Sequence, residues 1–462
     1  MTHAFHSVVL REYDIRGTVG ETLGEADAYA VGRGFGTLIV RAGGGTVAVG
    51  YDGRISSPML EAALVRGLND CGVHVVRVGL GPTPMLYYAE AVLEVDGGIQ
   101  VTGSHNPADH NGFKMVFQRR PFFGEDIQGL GRMAASGDWV EAVGGTGAET
   151  VEIMDRYVDR LLEGFDGGAY RIGWDAGNGA AGPVVEKLVK LLPGEHHTLF
   201  TDVDGHFPNH HPDPTEEKNL EDLKALVAQK RLDFGVAFDG DGDRIGAVDG
   251  GGRVIWGDQL LAIFAEPVLK QLPGAAIIAD VKASQAVIDR IVALGGKPLL
   301  WRVGHSNIKS KMKETGSPLA GEMSGHIFFG QDYYGFDDAL YAAVRLIRAA
   351  TASGRSVTDL RGALAEMINT PELRFAVEES RKFAVIEEVL ARLKAAGARI
   401  DETDGARVTT ADGWWLLRAS NTQAVLVARA EAKDRGGLDR LMAQIDSELA
   451  ESGIVRSTTQ AR

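Results

Sequence analysis

One pattern recurs three times along the chain and limits the folds open to it. In each copy an apolar strand ends in an aspartate-bearing loop and leads into a helical pattern: TVAVGYDGRISSPMLEAALVRGL, RIGWDAGNGAAGPVVEKLVKLL and AAIIADVKASQAVIDRIVALG. Their aspartates, Asp52, Asp175 and Asp280, recur at intervals of 123 and 105 residues. These intervals are too long for a solenoid and indicate three similar α/β domains. The length of 462 residues also favours several domains.

The C-terminal part of the chain follows another pattern. After about residue 366, SRKFAVIEEVLARLKAAG predicts a helix and ARVTTADGWWLLRAS predicts a hairpin that turns at Ala411, Asp412 and Gly413. AVLVARAEA then predicts a strand, and GLDRLMAQIDSELA predicts a closing helix. These elements indicate a smaller α+β domain of a different kind.

The charge of the chain excludes some classes of partner. A formal net charge of −15 and a pI near 5.3 argue against a surface for nucleic acid or anionic membrane, because phosphate-rich partners require basic patches. A small anion remains compatible with a locally basic cleft. The single cysteine, Cys71, fits a reducing compartment, and neither a signal peptide nor a long apolar run is evident. We therefore predict a cytoplasmic protein with no nucleic-acid or membrane partner.

The loop VTGSHNPADHNGFK, residues 101–114, follows an apolar strand and places Ser104 in a rigid setting. Ser, Asn, Pro and Gly also make up ordinary turns, in which a serine bonds only its own backbone. This loop alone therefore leaves a structural turn open. Ligands of open α/β sheets, however, lie beyond the carboxyl ends of the strands, where this loop is expected.

A second loop, VAFDGDGDRIG, alternates aspartate with glycine directly after an apolar strand. Asp239, Asp241 and Asp243 can converge on one point, and three like charges so close require a cation. An all-oxygen ligand set favours Mg²⁺. A calcium EF-hand does not fit, because Arg244 stands where glycine is needed and Gly250 where glutamate is needed. The dinucleotide fingerprint has the wrong spacing, and no nucleotide P-loop signature is present.

Together the two loops suggest chemistry. A phosphorylated serine carries about −1.5 to −2 charges, which an adjacent Mg²⁺ would neutralise while it drew electrons from the phosphate. Ser104 becomes a candidate carrier of a phosphoryl group. Lys114 and Arg244 are candidates to offset charge on the transferring oxygens.

Two further loops offer polar side chains suited to a sugar phosphate. AGEMSGHIFFG carries Glu322, Ser324 and His326, a set of donors and acceptors for sugar hydroxyls. RASNTQAVLVAR carries a cluster suited to a phosphate, which comprises Arg418, Ser420, Asn421, Thr422 and Arg429.

Five motifs now stand in order along nearly the whole chain: REYDIRG (11–17), TGSHNP (102–107), DGDGDR (239–244), GEMSGH (321–326) and RASNT (418–422). In order and spacing they resemble the α-D-phosphohexomutase family. GEMSGH is similar to the sugar loop of the phosphomannomutase/phosphoglucomutase branch, rather than to the glutamine-containing loop typical of phosphoglucosamine mutases.

The resemblance implies four domains around a central cleft, the first three alike and the last with a TATA-binding-protein-like fold. The expected boundaries are 1–147, 148–253, 254–366 and 367–462. Ser104 would be the phosphorylated serine and would bind Mg²⁺ together with Asp239, Asp241 and Asp243. The sugar loop would comprise Glu322, Met323, Ser324, Gly325 and His326, and the phosphate loop Arg418, Ala419, Ser420, Asn421 and Thr422, with Arg429. Other family active-site positions would be Tyr13, Arg16, Lys114, Arg244, Lys282, Gly304 and His305.

The implied reaction moves a phosphoryl group between O1 and O6 of glucose or mannose, through phospho-Ser104 and a hexose 1,6-bisphosphate that also serves as activator. His105 and His326 are the candidate bases, since an imidazole titrates near neutrality. Three alternatives remain: a phosphoglucosamine mutase, a metal-dependent sugar phosphatase and a non-catalytic sugar-phosphate sensor. We expect a monomer or a weak homodimer.

Two positions depart from the family pattern. Gln423 and Ala424 follow Thr422 where the family often has Glu-Pro, which removes a proline that would stiffen the phosphate loop. Ala283 stands where a cysteine is common after Lys282, and we expect this change to affect packing only.

Overall fold

A computed structural model describes residues 2–142, 147–421 and 423–456 of the chain. The strands form four separate sheets, one in each of four successive parts of the chain. Within the described residues, no helix is both long enough and apolar enough to cross a membrane.

The first domain carries a seven-stranded sheet of order β1-β5-β4-β2-β3-β7, with β6 paired to β5. Valine-rich β2 lies centrally and runs parallel to both β3 and β4. Strand β7 extends this sheet past the boundary expected at residue 147. The elements are β1 (Ile15–Thr18), α1 (Glu25–Arg41), β2 (Thr46–Tyr51), α2 (Ser57–Asn69), β3 (His74–Leu80), α3 (Thr83–Val92), β4 (Gly97–Val101), β5 (His110–Phe117), β6 (Arg120–Pro121), α4 (Glu125–Ser136) and β7 (Ala148–Thr150).

The second domain repeats the plan with a five-stranded sheet of order β12-β11-β10-β8-β9. Strand β8, which ends at Asp175, runs parallel to β9 and β10. The sheet ends with β12, two residues past the boundary expected at 253. Its elements are α5 (Met154–Leu161), β8 (Tyr170–Asp175), α6 (Gly182–Leu191), β9 (Gly194–Leu199), α7 (Glu221–Lys230), β10 (Phe234–Phe238), β11 (Ile245–Asp249) and β12 (Val254–Ile255).

The third domain has a four-stranded sheet of order β14-β13-β15-β16. Strand β13, which ends at Asp280, runs parallel to β14 and β15, and Ser284 caps the next helix by accepting a hydrogen bond from the Ala286 amide at 3.1 Å. The elements are α8 (Gly257–Gln271), β13 (Ala276–Asp280), α9 (Gln285–Ala293), β14 (Lys297–Trp301), α10 (His305–Thr315), β15 (Leu319–Gly321), β16 (Ile327–Phe329), α11 (Ala339–Ser353) and α12 (Val357–Gly362).

The fourth domain is the predicted α+β unit, an antiparallel sheet of order β17-β22-β21-β20-β19 with β18 paired to β22. The predicted hairpin forms, with Thr409 opposite Trp414, so Gly413 already belongs to the second strand. The elements are β17 (Ile368–Asn369), β18 (Leu373–Ala376), α13 (Lys382–Ala395), β19 (Arg399–Asp401), β20 (Ala406–Thr409), β21 (Gly413–Ala419), β22 (Val425–Ala432) and α14 (Arg435–Glu451). The expected architecture, three similar α/β domains and a different last one, is confirmed.

The apolar core is shared unequally among the domains. One continuous cluster runs from α3 through the second domain into α11. Within it, the ring centroids of Tyr88 and Tyr157 lie 5.7 Å apart. The fourth domain has a core of its own. It meets the third through a small cluster of Val281, Trp414 and Leu416. Ala283, the position that departs from the family pattern, is fully buried in the shared cluster.

Candidate active site

A cleft of about 1270 Å³ receives side chains from all four domains. The three aspartates of the DGDGD loop are 0% exposed and lie beneath this lining. Among the other predicted site residues, Thr422 lies outside the described part of the chain. Of those that are described, Gly325 and Ala419 do not line the cleft. The residues brought together at the cleft are Tyr13, Arg16, Ser104, His105, Lys114, Arg244, Lys282, Gly304, His305, Glu322, Met323, Ser324, His326, Arg418, Ser420, Asn421 and Arg429.

The serine loop leaves the carboxyl end of β4 and adopts a strained backbone. Ser104 has φ 49°, in the left-handed region that non-glycine residues seldom occupy, and its side chain faces the second domain. Its Oγ donates to Asp239 Oδ2 at 2.8 Å and lies 3.1 Å from His105 Nδ1. An ordinary turn serine would bond its own backbone, so this geometry favours a functional loop.

The aspartate loop leaves the carboxyl end of β10 directly opposite Ser104. Carboxylate oxygens of Asp239, Asp241 and Asp243 lie within 4.8 Å of one another. Within the part of the chain that the structure describes, Asp241 Oδ1 and Asp243 Oδ1 are buried without a hydrogen-bond partner. Burial, with the two neighbouring carboxylates, raises the pKa of Asp239 well above its usual range. Buried, unpartnered oxygens around one point fit a divalent cation.

Lys114 lies against the aspartates. Its Nζ is 2.8 Å from Asp241 Oδ2 and also contacts Asp243 Oδ2. Burial alone would lower the pKa of Lys114, but the carboxylates outweigh burial and raise it, so the ammonium keeps its charge. In this arrangement Lys114 offsets the charge of the cluster itself, rather than pointing freely at a transferring group.

His326 joins Arg244 to an aspartate that sequence reasoning missed. Arg244 Nε donates to His326 Nε2 at 3.0 Å, so the neutral ring carries its proton on Nδ1. That nitrogen is 2.9 Å from Asp337 Oδ2, and Lys309 Nζ lies 2.9 Å from Asp337 Oδ1. The lone pair of His326 Nε2 is therefore occupied. Asp337 stands in YYGFDDAL, where the spacing of residues did not indicate a functional site.

Glu322 sits in the short connection between β15 and β16, the predicted sugar loop. The Glu322 amide donates to the His326 carbonyl at 2.9 Å, and the amide of Met323 donates to Asp280 Oδ2 at 2.9 Å. Glu322 is 1% exposed, and its Oε1 accepts from the Gly304 amide at 2.7 Å. Burial raises the pKa of Glu322. The strand-ending Asp280 thus holds the loop, and Gly304 aims the carboxylate.

The far end of the cleft belongs to the fourth domain. Arg418 Nε pairs with Asp404 Oδ2 at 3.0 Å, and the same oxygen accepts from the Val303 amide at 3.1 Å. Asn421 donates to the Tyr13 hydroxyl, which donates to the Val303 carbonyl at 2.8 Å. The peptide that follows β14 therefore connects the first and fourth domains. No sequence pattern distinguished Asp404 either, because aspartates are common in turns of this kind.

Two other predicted substrate contacts already have partners. Lys282 Nζ lies 3.4 Å from Glu372 Oε2 of the fourth domain. Arg16 donates to Asn106 Oδ1 at 2.6 Å, within the serine loop. The structure places both cations on the cleft wall without assigning them a ligand.

Models of known families match the chain in four segments. The descriptions are phosphoglucomutase/phosphomannomutase alpha/beta/alpha domain I over residues 7–135, domain II over 155–252, domain III over 256–368, and the C-terminal domain over 372–448. The matches follow the order of the four sheets.

Individual relatives agree with these matches. The chain is 44% identical to a phosphomannomutase/phosphoglucomutase of Pseudomonas aeruginosa, over 96% of this chain and 95% of that one. It is 42% identical to a phosphoglucomutase of Neisseria gonorrhoeae, over 94% and 95%. A crystal structure of a family protein from Burkholderia thailandensis superimposes with a TM-score of 0.92 at 41% identity, covering 97% and 98%. The chain therefore belongs to the phosphoglucomutase/phosphomannomutase family.

Proposed function

We propose that the protein is a Mg²⁺-dependent phosphohexomutase that interconverts the 1- and 6-phosphates of glucose and mannose. The observation that carries this proposal is the 2.8 Å contact between Ser104 Oγ and Asp239, at a buried cluster of three aspartates on the floor of the cleft. A nucleophilic oxygen that must carry a phosphate belongs beside a site for a divalent cation.

Asp239, Asp241 and Asp243 would hold the cation, together with an oxygen of the Ser104 phosphate. When bound, Mg²⁺ supplies charge neutralisation and polarisation of the phosphoryl group. The residues of the chain provide the remaining positive charge. Lys114 and Arg244 stay cationic in this buried setting, because nearby carboxylates raise the pKa of both groups despite their burial.

The cycle comprises two transfers. In the first, a hydroxyl of the hexose monophosphate loses its proton and attacks the phosphorus of phospho-Ser104; the bond to Oγ breaks, Oγ takes up a proton, and a 1,6-bisphosphate forms. After the intermediate turns end for end, Ser104 Oγ attacks its other phosphate and the product leaves as a monophosphate. The proton of the attacking Ser104 hydroxyl must leave in the second step.

His105 is the acceptor that we assign to this proton. Among the described residues, two side chains lie within hydrogen-bond distance of the Ser104 hydroxyl: Asp239, which accepts from it, and His105, whose Nδ1 is 3.1 Å from Oγ. A carboxylate that binds a cation is a poor base, so His105 remains. Burial, together with nearby Arg244, Arg16 and Lys114, lowers the pKa of His105 well below its usual value, so its lone pair is free at neutral pH. His326, whose Nε2 accepts from Arg244, instead orients that guanidinium.

Substrate identity follows from the need to bind one molecule both ways round. Turning a hexose 1,6-bisphosphate exchanges its phosphates and approximately exchanges O3 with O4. Glu322, a buried carboxylate, can accept from both hydroxyls. Glucose and mannose differ only at C2, so a site that reads O3 and O4 accepts both.

The far end of the cleft favours a mutase over a phosphatase. Arg418 and Arg429 of the fourth domain line it together with Lys282 of the third. A phosphatase has no need to grip a second phosphate, whereas a mutase must hold the non-reacting one in both orientations. The dual-substrate assignment also separates this function from that of a phosphoglucosamine mutase.

A coupled assay tests the proposal. Glucose 1-phosphate and mannose 1-phosphate are each supplied with a trace of the matching 1,6-bisphosphate, and the 6-phosphate and inorganic phosphate are both measured. We expect 6-phosphate from both sugars, little inorganic phosphate and an intact mass that carries one phosphate. Stoichiometric release of inorganic phosphate would indicate a phosphatase, and turnover of glucosamine 1-phosphate alone would indicate the other mutase. Failure to turn over any of them would indicate the sensor.

A further inference from the structure

Arg54 lies directly behind the serine loop, in the connection between β2 and α2. Its side chain is 0% exposed, yet all five of its N–H groups have acceptors. Nε donates to Asp52 Oδ2 at 3.2 Å. The terminal nitrogens donate to four backbone carbonyls of a single loop, those of Ser104 at 2.7 Å, Asn106 at 2.6 Å, His110 at 2.9 Å and Pro107.

The loop needs such a partner for two reasons. Ser104 occupies a left-handed backbone conformation, which is strained in a residue other than glycine and persists only where the surroundings impose it. The carbonyls that turn inward around Arg54 would otherwise be desolvated without donors. With its carbonyls bound on the inner side, the loop presents Ser104 Oγ to Asp239 on the other side.

Arg54 also contacts the second domain, which carries the aspartate loop. The ring of Phe207 lies over its guanidinium carbon, 5.2 Å from centroid to carbon. A Cβ on Gly205 would lie 2.7 Å from the Ile55 amide nitrogen, and a Cβ on Gly240 would lie 2.4 Å from the Ser104 carbonyl oxygen. The serine loop, Arg54 and the second domain therefore pack with no space for an added methyl group at either glycine.

We propose that Arg54 is a positioning residue for phosphoryl transfer. It fixes the backbone of residues 104–110 and, through its contact with Phe207, fixes the distance between Ser104 and the three aspartates proposed to bind the metal. The inference rests on the proposed function of Ser104. Lysine is no substitute, because its three donors radiate from one atom and cannot bind Asp52 and four carbonyls together.

The test compares Arg54→Lys and Arg54→Ala with Arg33→Lys. Arg33 is a matched control, a buried arginine of the same domain that pairs with Glu141 and does not line the cleft. In Arg54→Lys we expect kcat to fall about 100-fold with KM within about threefold, because the reacting atoms are displaced while the distal phosphate is still held. Amide hydrogen exchange across residues 102–111 should accelerate, and added guanidinium should restore part of the activity of Arg54→Ala. Arg33→Lys should show none of these changes.

Several outcomes would overturn the proposal. It fails if Arg54→Lys keeps kcat within about twofold of the parent, or if exchange across the loop is unchanged. If Arg54→Lys does not fold, Phe207→Leu decides, since it keeps all five hydrogen bonds but opens one face of the guanidinium. A kcat about fivefold lower with faster loop exchange supports the role, and parent-like values refute it. A parent protein without mutase activity would refute the proposed function, while the exchange measurements would still test Arg54.

Discussion

The two ends of the cleft are built in opposite ways. At the proposed reacting end, Ser104 and the three aspartates of the DGDGD loop are at most 1% exposed, and the first two domains meet here through contacts of Ser104 with Asp239 and of Lys114 with Asp241. At the distal end, Arg418 pairs with Asp404 of its own domain, and Asn421 donates to the Tyr13 hydroxyl of the first domain. The proposed function therefore assigns the chemistry that depends on sub-ångström geometry to the joint between the first two domains, and the capture of a phosphate to a domain with its own core.

The apolar cores support the same contrast. A continuous cluster joins α3 to the second and third domains, whereas the fourth domain has its own core and meets the third through a few residues. Polar contacts also cross that joint: Arg407 donates to the carbonyls of Val281 at 2.6 Å and Ala283 at 2.9 Å, and further contacts join Gln285 to Glu431, Lys282 to Glu372 and Val303 to Asp404. A small joint between separate cores permits relative motion. Such motion would let a bisphosphate turn without disturbing the serine.

The largest effect is expected from Ser104→Ala. This change deletes the covalent route, so the rate should fall by about four orders of magnitude or more. Metal affinity, measured by calorimetry, should change far less, because the three aspartates remain. A Ser104→Ala protein that kept a tenth of the parent rate would show that the rigid end of the cleft does not carry the nucleophile.

Asp241→Asn should have the second largest effect. We expect metal affinity and rate to fall together by about 100-fold or more, because even residues that only support a metal ligand cost 10–100-fold when changed. Raising the Mg²⁺ concentration should recover part of the rate. Normal metal affinity in this variant would contradict the assignment of the aspartate loop.

Arg418→Ala tests the distal end, with Arg440→Ala as a control on the exposed face of the same domain. Loss of charge-assisted hydrogen bonds to a phosphate should raise KM for glucose 1-phosphate by about 10–100-fold, with a smaller fall in kcat. A large fall in kcat with KM unchanged would mean that the reacting and distal ends of the cleft have been assigned in reverse.

Glu322→Ala tests the middle of the cleft. We expect kcat/KM to fall about tenfold, by similar factors for glucose 1-phosphate and mannose 1-phosphate. Galactose 1-phosphate, inverted at C4, should be a poor substrate of the parent. An enzyme crippled on one of glucose and mannose but normal on the other would show that this loop reads C2.

The smallest effect is expected from Asp404→Asn. The variant keeps an acceptor for the Val303 amide but removes the charge that pairs with Arg418, so KM should change by about threefold and kcat hardly at all. Salt should reduce the difference between variant and parent. A large loss of kcat would show that the distal end is as rigid as the reacting end.

The domains and the main loops were predictable because their signals are local. An apolar strand, an aspartate and an amphipathic helix follow one another within about two dozen residues in each repeat, and that pattern sufficed to predict the positions of Asp52, Asp175 and Asp280. The aspartate loop was predictable for the same reason, since Asp239, Asp241 and Asp243 alternate with glycine within one short stretch of sequence.

The less local features required the structure. Short edge strands β7 and β12 join sheets across the expected boundaries because pairing partners, rather than their own sequence, decide where they lie. The two candidate bases could also be distinguished only in the structure. His326 looked as free as His105 in the sequence, and only its contact with Arg244, 82 residues away, shows that its Nε2 is occupied.

By itself, therefore, the sequence determined the domain types and the four polar loops, and it supplied the residues that we propose carry phosphate, metal and sugar. Tertiary structure decided which groups hold those loops in place. Asp337 and Asp404 have no distinguishing neighbours along the chain, and Asp52 beside Arg54 does not reveal what Arg54 contacts; folding brings each of the three against a loop of the candidate site. Local pattern specifies secondary structure through side-chain periodicity, whereas the partners of a buried charge are set by packing between elements distant in sequence.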